Sequence, residues 1–239
     1  LSVLCAQAAA PAAAPAPAQV SAASRPSAYA RSDKISSVIV RNASGHVMER
    51  WLTGAGWKQG NLTQLAGAPA AVGEPVGYAR ADGTNAVVHR TASGDVTELY
   101  LVGTTWKAGN LTQLAKAPPA AGDPSPYARS DNINAVVYRA KQHIIELYLQ
   151  GSTWRSGNLT ELAKAPLAAG EPTGYRRADK VNAVVYRAAD GHIHELYLQG
   201  STWKVGDLTQ LTQAPAAVSD PAPYEIGRAS CRERVCYVV

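Results

Sequence analysis

Between Asn182 and Trp203 the chain reads NAVVYRAADGHIHELYLQGSTW, which gathers His192, His194, Glu195 and Tyr197 in one short run. Two imidazoles beside a carboxylate could relay protons or grip a metal ion. Copies of the run argue against both. The chain repeats it as NAVVYRAKQHIIELYLQGSTW from Asn134, NAVVHRTASGDVTELYLVGTTW from Asn85 and SSVIVRNASGHVMERWLTGAGW from Ser36. His192 aligns with His46 and His143 but also with Asp95. His194 aligns with Met48, Thr97 and Ile145, and His89 with Val40 and Tyr138. The histidines therefore do not follow the repeat, and the pair at 192 and 194 lacks an evident third ligand, so no metal and no cofactor is expected. Catalysis needs one asymmetric constellation, whereas the chemistry here is duplicated in every copy. The pattern points to multivalent binding and away from an enzyme.

The residues that do follow the repeat are the candidates. Trp57, Trp106, Trp154 and Trp203 open the last extended run of each copy. An indole there either fills space between repeats or stacks on the apolar face of a sugar ring. Glu49, Glu98, Glu146 and Glu195 lie between apolar neighbours, where a carboxylate is costly unless paired. One partner set is Arg41, Arg90, Arg139 and Arg187, across the intervening hairpin. The other reading has Glu accept bonds from vicinal sugar hydroxyls, directly or with the Arg donating beside it. Tyr100, Tyr148 and Tyr197, each two residues beyond its Glu, join the set.

The elements that position these residues follow from the period. Tyr29, Tyr78, Tyr127, Tyr175 and Tyr224 are spaced by 49, 49, 48 and 49 residues, the short copy having lost one residue in the turn AKQH after Arg139. Each period holds four strand-like runs, in the last copy GYRRA, NAVVYRA, HIHELYLQ and TWKVGDLTQL. Asp190-Gly191 is a hairpin signal, and the Pro-containing connection TQAPAAVSDPAPY excludes a long helix. Four short strands per repeat describe a β-propeller blade. The fold expected is all-β: four blades over 29–77, 78–126, 127–174 and 175–223, truncated from a ring of five to seven. Val87-Val88, Val136-Val137 and Val184-Val185, with Leu99, Leu147 and Leu196, are expected to pack blade on blade. Asp33, Asp82, Asp131 and Asp179 are expected to cap turns. Asn61, Asn110 and Asn158 each begin an Asn-Leu-Thr sequon, but the fourth copy carries Asp207, so turn bonding is favoured over glycan attachment.

The remaining bounds are compositional. The 239 residues carry 23 Lys and Arg against 18 Asp and Glu, a net charge of +5 with no basic run, which gives no nucleic-acid footprint. Residues 1–8, ending at Ala6-Gln7-Ala8, read as a signal-peptide remnant and imply export. Residues 9–26, rich in Ala and Pro, read as an extended tether. No stretch is long and apolar enough to span a bilayer. The tail 225–239 breaks the repeat and resembles a translated sequencing adapter, so Cys231 and Cys236 are not expected to form a disulfide.

The blade pattern from the Asp-Leu-Thr run to the Tyr, Arg, Asp and NAVVYR positions resembles bacterial β-propeller lectins of the Photorhabdus type, themselves similar to fungal fucose lectins. The likeness covers about Tyr29 to Tyr224. It implies interblade clefts that bind fucose or related sugars, with the Trp and Glu positions as contacts and glycans as partners. Fungal-type lectins place an Arg about twelve residues before the Glu, where this chain has Ser37, Ala86, Ala135 and Ala183. The resemblance therefore implies sugar binding more firmly than it implies fucose.

Overall fold

The computed structural model describes residues 24–222. The expected signal remnant, most of the tether, the adapter-like tail and all three cysteines lie outside them. The end of the expected tether is docked: Ser24 accepts a bond from the Arg41 amide, and the Arg25 amide donates to Glu74.

The first blade runs β1 (Ser27–Ala30), β2 (Ser36–Arg41), β3 (Val47–Thr53) and β4 (Gly56–Asn61), followed by the short helix α1 (Leu62–Ala66). The second has β5 (Val72–Ala79), β6 (Asn85–Arg90), β7 (Val96–Val102), β8 (Thr105–Asn110) and α2 (Leu111–Leu114). The third has β9 (Ser125–Ala128), β10 (Asn134–Ala140), β11 (His143–Gln150), β12 (Thr153–Asn158) and α3 (Leu159–Ala163). The fourth has β13 (Thr173–Arg176), β14 (Asn182–Arg187), β15 (Ile193–Gln199), β16 (Thr202–Asp207) and α4 (Leu208–Thr212). Each blade is a four-stranded antiparallel sheet in sequence order, the all-β, four-bladed arrangement expected of a propeller. The inner strands pack in succession, β1 on β5, β5 on β9 and β9 on β13, and among the described residues no comparable packing joins β13 to β1.

The second strand of a blade is covered on both faces. That explains why NAVVYR reads as a continuous apolar run: in β6, β10 and β14 every residue but the final Arg of the motif is buried. Three clusters knit the blades together, and each takes residues from two neighbours, as where Ile39 and Val47 of the first meet Val87 and Leu99 of the second. The outer strands carry exposed cations, Lys58, Lys107, Arg155 and Lys204, which discourage edge pairing.

Turn chemistry fixes the hairpins. Gly45, Gly94 and Gly191 hold φ of 79°, 85° and 82° between the second and third strands, and in the shortened third blade Lys141 takes a left-handed conformation instead (φ 53°). The fourth run is shorter than the sequence suggests, because its Leu-Thr-Gln-Leu part is helical. Asn61, Asn110, Asn158 and Asp207 end the strand and cap the helix, each side chain accepting from the amide three residues on at 2.9–3.2 Å. The Thr two residues after each cap accepts the first amide of the third strand, or in the third blade the second, at 2.6–2.9 Å. Cap, helix and tie explain the recurring sequon.

Close approach between blades depends on glycine where the next inner strand crosses a Tyr ring. A Cβ at Gly77 would overlap Tyr29, and one at Gly174 would overlap Tyr127. Gly174→Ala is expected to destabilise the fold by about 1–3 kcal/mol through overpacking. Gly54→Ala, with open space around its Cβ, is expected to leave the thermal midpoint unchanged. Paired thermal melts check both.

Candidate functional site

Three clefts open between consecutive blades, each built by the same positions. The first–second cleft has a volume of about 370 Å³, the second–third about 410 Å³ and the third–fourth about 810 Å³. One wall carries an Arg-x-Asp turn, the buried Glu and an aromatic two residues later. The opposite wall carries Leu, Gly and a hydroxyl residue from the next blade, followed by its Trp. In the third–fourth cleft these are Arg129, Asp131, Glu146 and Tyr148 facing Leu198, Gly200, Ser201 and Trp203.

The carboxylates are paired, but not with the arginines the sequence suggested. Glu146 is 1% exposed; it accepts from the Tyr127 hydroxyl at 2.7 Å and pairs with the Arg129 guanidinium at 3.3 Å. Glu98 is held by Tyr78 (2.6 Å) and Arg80 (3.6 Å), and Glu195 by Tyr175 (2.5 Å) and Arg177 (3.1 Å). In the first blade Ser37 replaces the tyrosine as donor to Glu49 (2.7 Å), with Arg31 at 3.2 Å. Each of these arginines also grips the Asp of its own turn, Arg129 with Nε and Nη2 on the two oxygens of Asp131. Arg90, Arg139 and Arg187 instead reach the connection to the next blade, pairing with Asp123, Glu171 and Asp220 at 3.2–3.4 Å, and Arg41 donates to the Gly73 carbonyl. They lie at the far end of the second strand, where the connection's acid is the nearer anion. These four arginines staple blades rather than serve the clefts.

The Arg-x-Asp turn is held from the neighbouring blade. Asn85, Asn134 and Asn182 accept the amides of Ser32, Ala81 and Ser130 at 2.6–2.8 Å, so the first residue of NAVVYR sets the loop that aims the Arg. Burial pushes the carboxyls of Glu98 and Glu146 above the ordinary value, against the pull of Arg80 and Arg129. Burial and the adjacent Glu raise the hydroxyls of Tyr78 and Tyr127, which remain donors. Burial opposes the charge of Arg129, but Glu146 and Asp131 more than restore it.

The small residues at 37, 86, 135 and 183 acquire a reason. Each pairs across the sheet with the Tyr of the first strand and the aromatic of the third, as Ala135 does with Tyr127 and Tyr148. An Arg between two rings would leave no route for the tyrosine to its Glu. The guanidinium comes from the turn instead.

The Trp positions divide. Trp106 and Trp203 line clefts yet are only 8% and 9% exposed, packed into the interblade clusters. Trp154 is half-buried, and Trp57 is 59% exposed on the outer face of the first blade. Tyr100 and Tyr148 line their clefts, with Trp51 in the equivalent place in the first. Tyr197 stands at the same position in the fourth blade. Sequence reasoning missed Arg31, Arg80, Arg129, Arg177 and Trp51. The signal for the arginines was present, since Arg-x-Asp recurs in every copy.

No protein-family model matches the chain and no curated protein matches it. Solved structures do match in fold. SapL1 lectin, solved with α-methyl fucoside, gives a TM-score of 0.57 at 19% identity over 80% of this chain and 64% of its own. AofleA from Arthrobotrys oligospora gives 0.53 at 16% identity, over 77% and 56%. The lectin of Aleuria aurantia, described as a six-bladed β-propeller with a novel fucose recognition mode, gives 0.51 at 18%, over 75% and 60%. This chain thus spans less than two thirds of the length of each, and what they share with it is the propeller fold.

Removing one partner of the buried pair leaves a charge uncompensated. Arg129→Ala is expected to cost about 3 kcal/mol at neutral pH, and Tyr127→Phe about 1–3 kcal/mol through the lost donor. Arg177→Ala should cost less than Arg129→Ala, because Arg177 is 37% exposed and Arg129 8%. Urea unfolding of the three variants checks the ranking.

Proposed function

We propose that the chain is a secreted bacterial carbohydrate-binding protein that holds several terminal sugars, fucose or a related one, in its interblade clefts without a covalent step. The observation that carries this reading is one set of groups, Arg, Glu and aromatic facing Leu and Trp, recurring in three clefts. Arg31 spends two N–H groups on Asp33 and one on Glu49, so two of the five remain for a ligand. A carboxylate with spare lone pairs beside a guanidinium with spare donors suits vicinal hydroxyls, which both donate and accept. Trp51, Tyr100 and Tyr148 on one wall, and the half-buried Trp154 on the opposite wall of the second–third cleft, offer an apolar surface to the C–H face of the ring. Shallow sites on a rigid frame gain by acting together, with avidity rising by about 10² to 10⁴ where spacing permits.

We also read the four blades as an arc of a larger ring. The unjoined β1 and β13, the exposed Trp57 and the half-open Arg177 support this, as does the six-bladed neighbour. A second reading, a non-catalytic protein-interaction module, is favoured by the burial of Trp106 and Trp203, which leaves little indole face for stacking.

A glycan array with the chain and its Trp154→Ala variant separates the two readings. Binding to fucosylated or related terminal sugars, weakened roughly tenfold or more on dense surfaces by Trp154→Ala, supports the first. A folded protein silent on every glycan overturns it in favour of the second. Sugar affinity is also expected to fall on acidification at a pH above 4.5, the ordinary Glu value, because burial raises Glu98 and Glu146. The sign for folding is opposite. A carboxyl raised in the native state favours that state below its unfolded pKa, and the contribution is lost as pH rises through the folded pKa. These two groups therefore weaken binding in acid without driving unfolding. Calorimetric titration with a free glycoside alongside near-ultraviolet circular dichroism follows both.

A further inference from the structure

We infer that the fourth blade carries a binding site for a first-row divalent cation, Zn²⁺ being the clearest fit, made by Asp190, His192 and His194 with Asp207 behind them. One potential ligand atom from each of Asp190, His192 and His194 lies within 4.8 Å of the others. His194 is 5% exposed, and both of its ring nitrogens are buried without a hydrogen-bond partner. A neutral imidazole always has one N–H donor and one acceptor nitrogen, so leaving both unsatisfied is costly, and coordination would satisfy one of them.

The other groups are arranged to help. Asp207 accepts or shares a proton with His192 Nδ1 at 2.7 Å, the outer carboxylate that fixes the tautomer and orientation of a metal-binding imidazole. Asp190 accepts the His192 amide at 2.9 Å, which holds it at the same turn. Tyr186 stacks on His194 at 5.7 Å and steadies the buried ring. Donors around a tetrahedral zinc sit about 3.4 Å apart. The exposed Asp190 and half-buried His192 can close that gap onto a fixed His194. Two imidazoles and a carboxylate suit zinc or its neighbours and not calcium or magnesium.

The departures from the repeat coincide here. Position 194 is Met48, Thr97 or Ile145 in the other blades, and position 207 is Asn61, Asn110 or Asn158, which cap the helix equally well. In the fourth blade alone the cap becomes a carboxylate where both histidines stand beside it. His194 shares a face of β15 with Leu198, which lines the third–fourth cleft, but stands four residues along the strand from it, and none of Asp190, His192 and His194 lines that cleft. The cation would not touch the sugar site, and this inference stands apart from the proposed function.

The test uses the full, untagged chain with Cys5, Cys231 and Cys236 changed to Ser, to remove competing thiolates, stripped with chelator and titrated with Zn²⁺ by calorimetry. One Zn²⁺ per chain and a higher thermal midpoint with the ion are expected. His194→Thr, which installs the second blade's residue, should weaken binding by at least about 100-fold, the most that losing an outer-shell partner costs, and abolish the thermal shift. Asp207→Asn, which installs the other blades' cap, should weaken binding by roughly 10–100-fold while the fold is kept. No binding at millimolar Zn²⁺, or undiminished binding by His194→Thr, overturns the site. Undiminished binding by Asp207→Asn overturns the orienting role given to that carboxylate.

Discussion

A carboxylate placed between two sheets is the constraint on which each blade depends. Glu49, Glu98, Glu146 and Glu195 are buried in the third strand, where an ion without partners is too costly to keep. The compensation determines much else. A tyrosine must cross the sheet from the first strand, so the residue between them must be small, and a serine can take over the donation when it stands there. An arginine must reach in from the turn, so the turn must be held, and the next blade's Asn holds it. The local pairing of one Glu thereby becomes a condition on the neighbouring blade.

Two sets of arginines divide the work along each blade. Those of the Arg-x-Asp turns face the clefts, and those ending NAVVYR face the connections. The second set binds Asp123, Glu171 and Asp220, and Asp123 and Asp220 also accept the amides of Glu74 and Glu171 one connection back. The acids therefore bridge consecutive connections on the side away from the clefts. Interblade cores lie between these two charged ends, so blades are fixed at both ends and the clefts are preformed rather than assembled around a ligand.

The period, the four strands, the tight turns and the blade-on-blade core were legible because each follows from residue types at short spacing. Val87, Val136 and Val184 sit where the sequence puts them, buried between blades. That Asn61 and its counterparts bond the backbone was legible from the Asp that replaces them at 207, though as a turn and not as a helix cap. The helices were not, since four or five residues of Leu-Thr-Gln-Leu carry too little periodicity to separate from a strand. The Glu partners were misread for a different reason. Arg187 and Glu195 lie on adjacent strands, so sequence distance favoured them, whereas Arg177 reaches Glu195 from a turn whose position depends on three-dimensional packing. Burial of Trp106 and Trp203 was equally hidden, because a repeated indole reads the same as filler or as contact.

The three clefts agree at one end and differ at the other, and under the proposed binding role that difference bears on what they can discriminate. The Arg, Asp and Glu positions recur in all three, so the charged end presents the same donors and acceptors each time. The largest of the three is also lined by Gln150 at the end of β11, Asn158 at the end of β12 and Glu161 of α3, while the smallest has the larger ring of Trp51 where the others have Tyr. A ligand group common to many partners is best read at the constant end, and groups that distinguish partners at the variable one. Drift in the outer residues can then change selectivity cleft by cleft without disturbing the buried pair that keeps the blade folded.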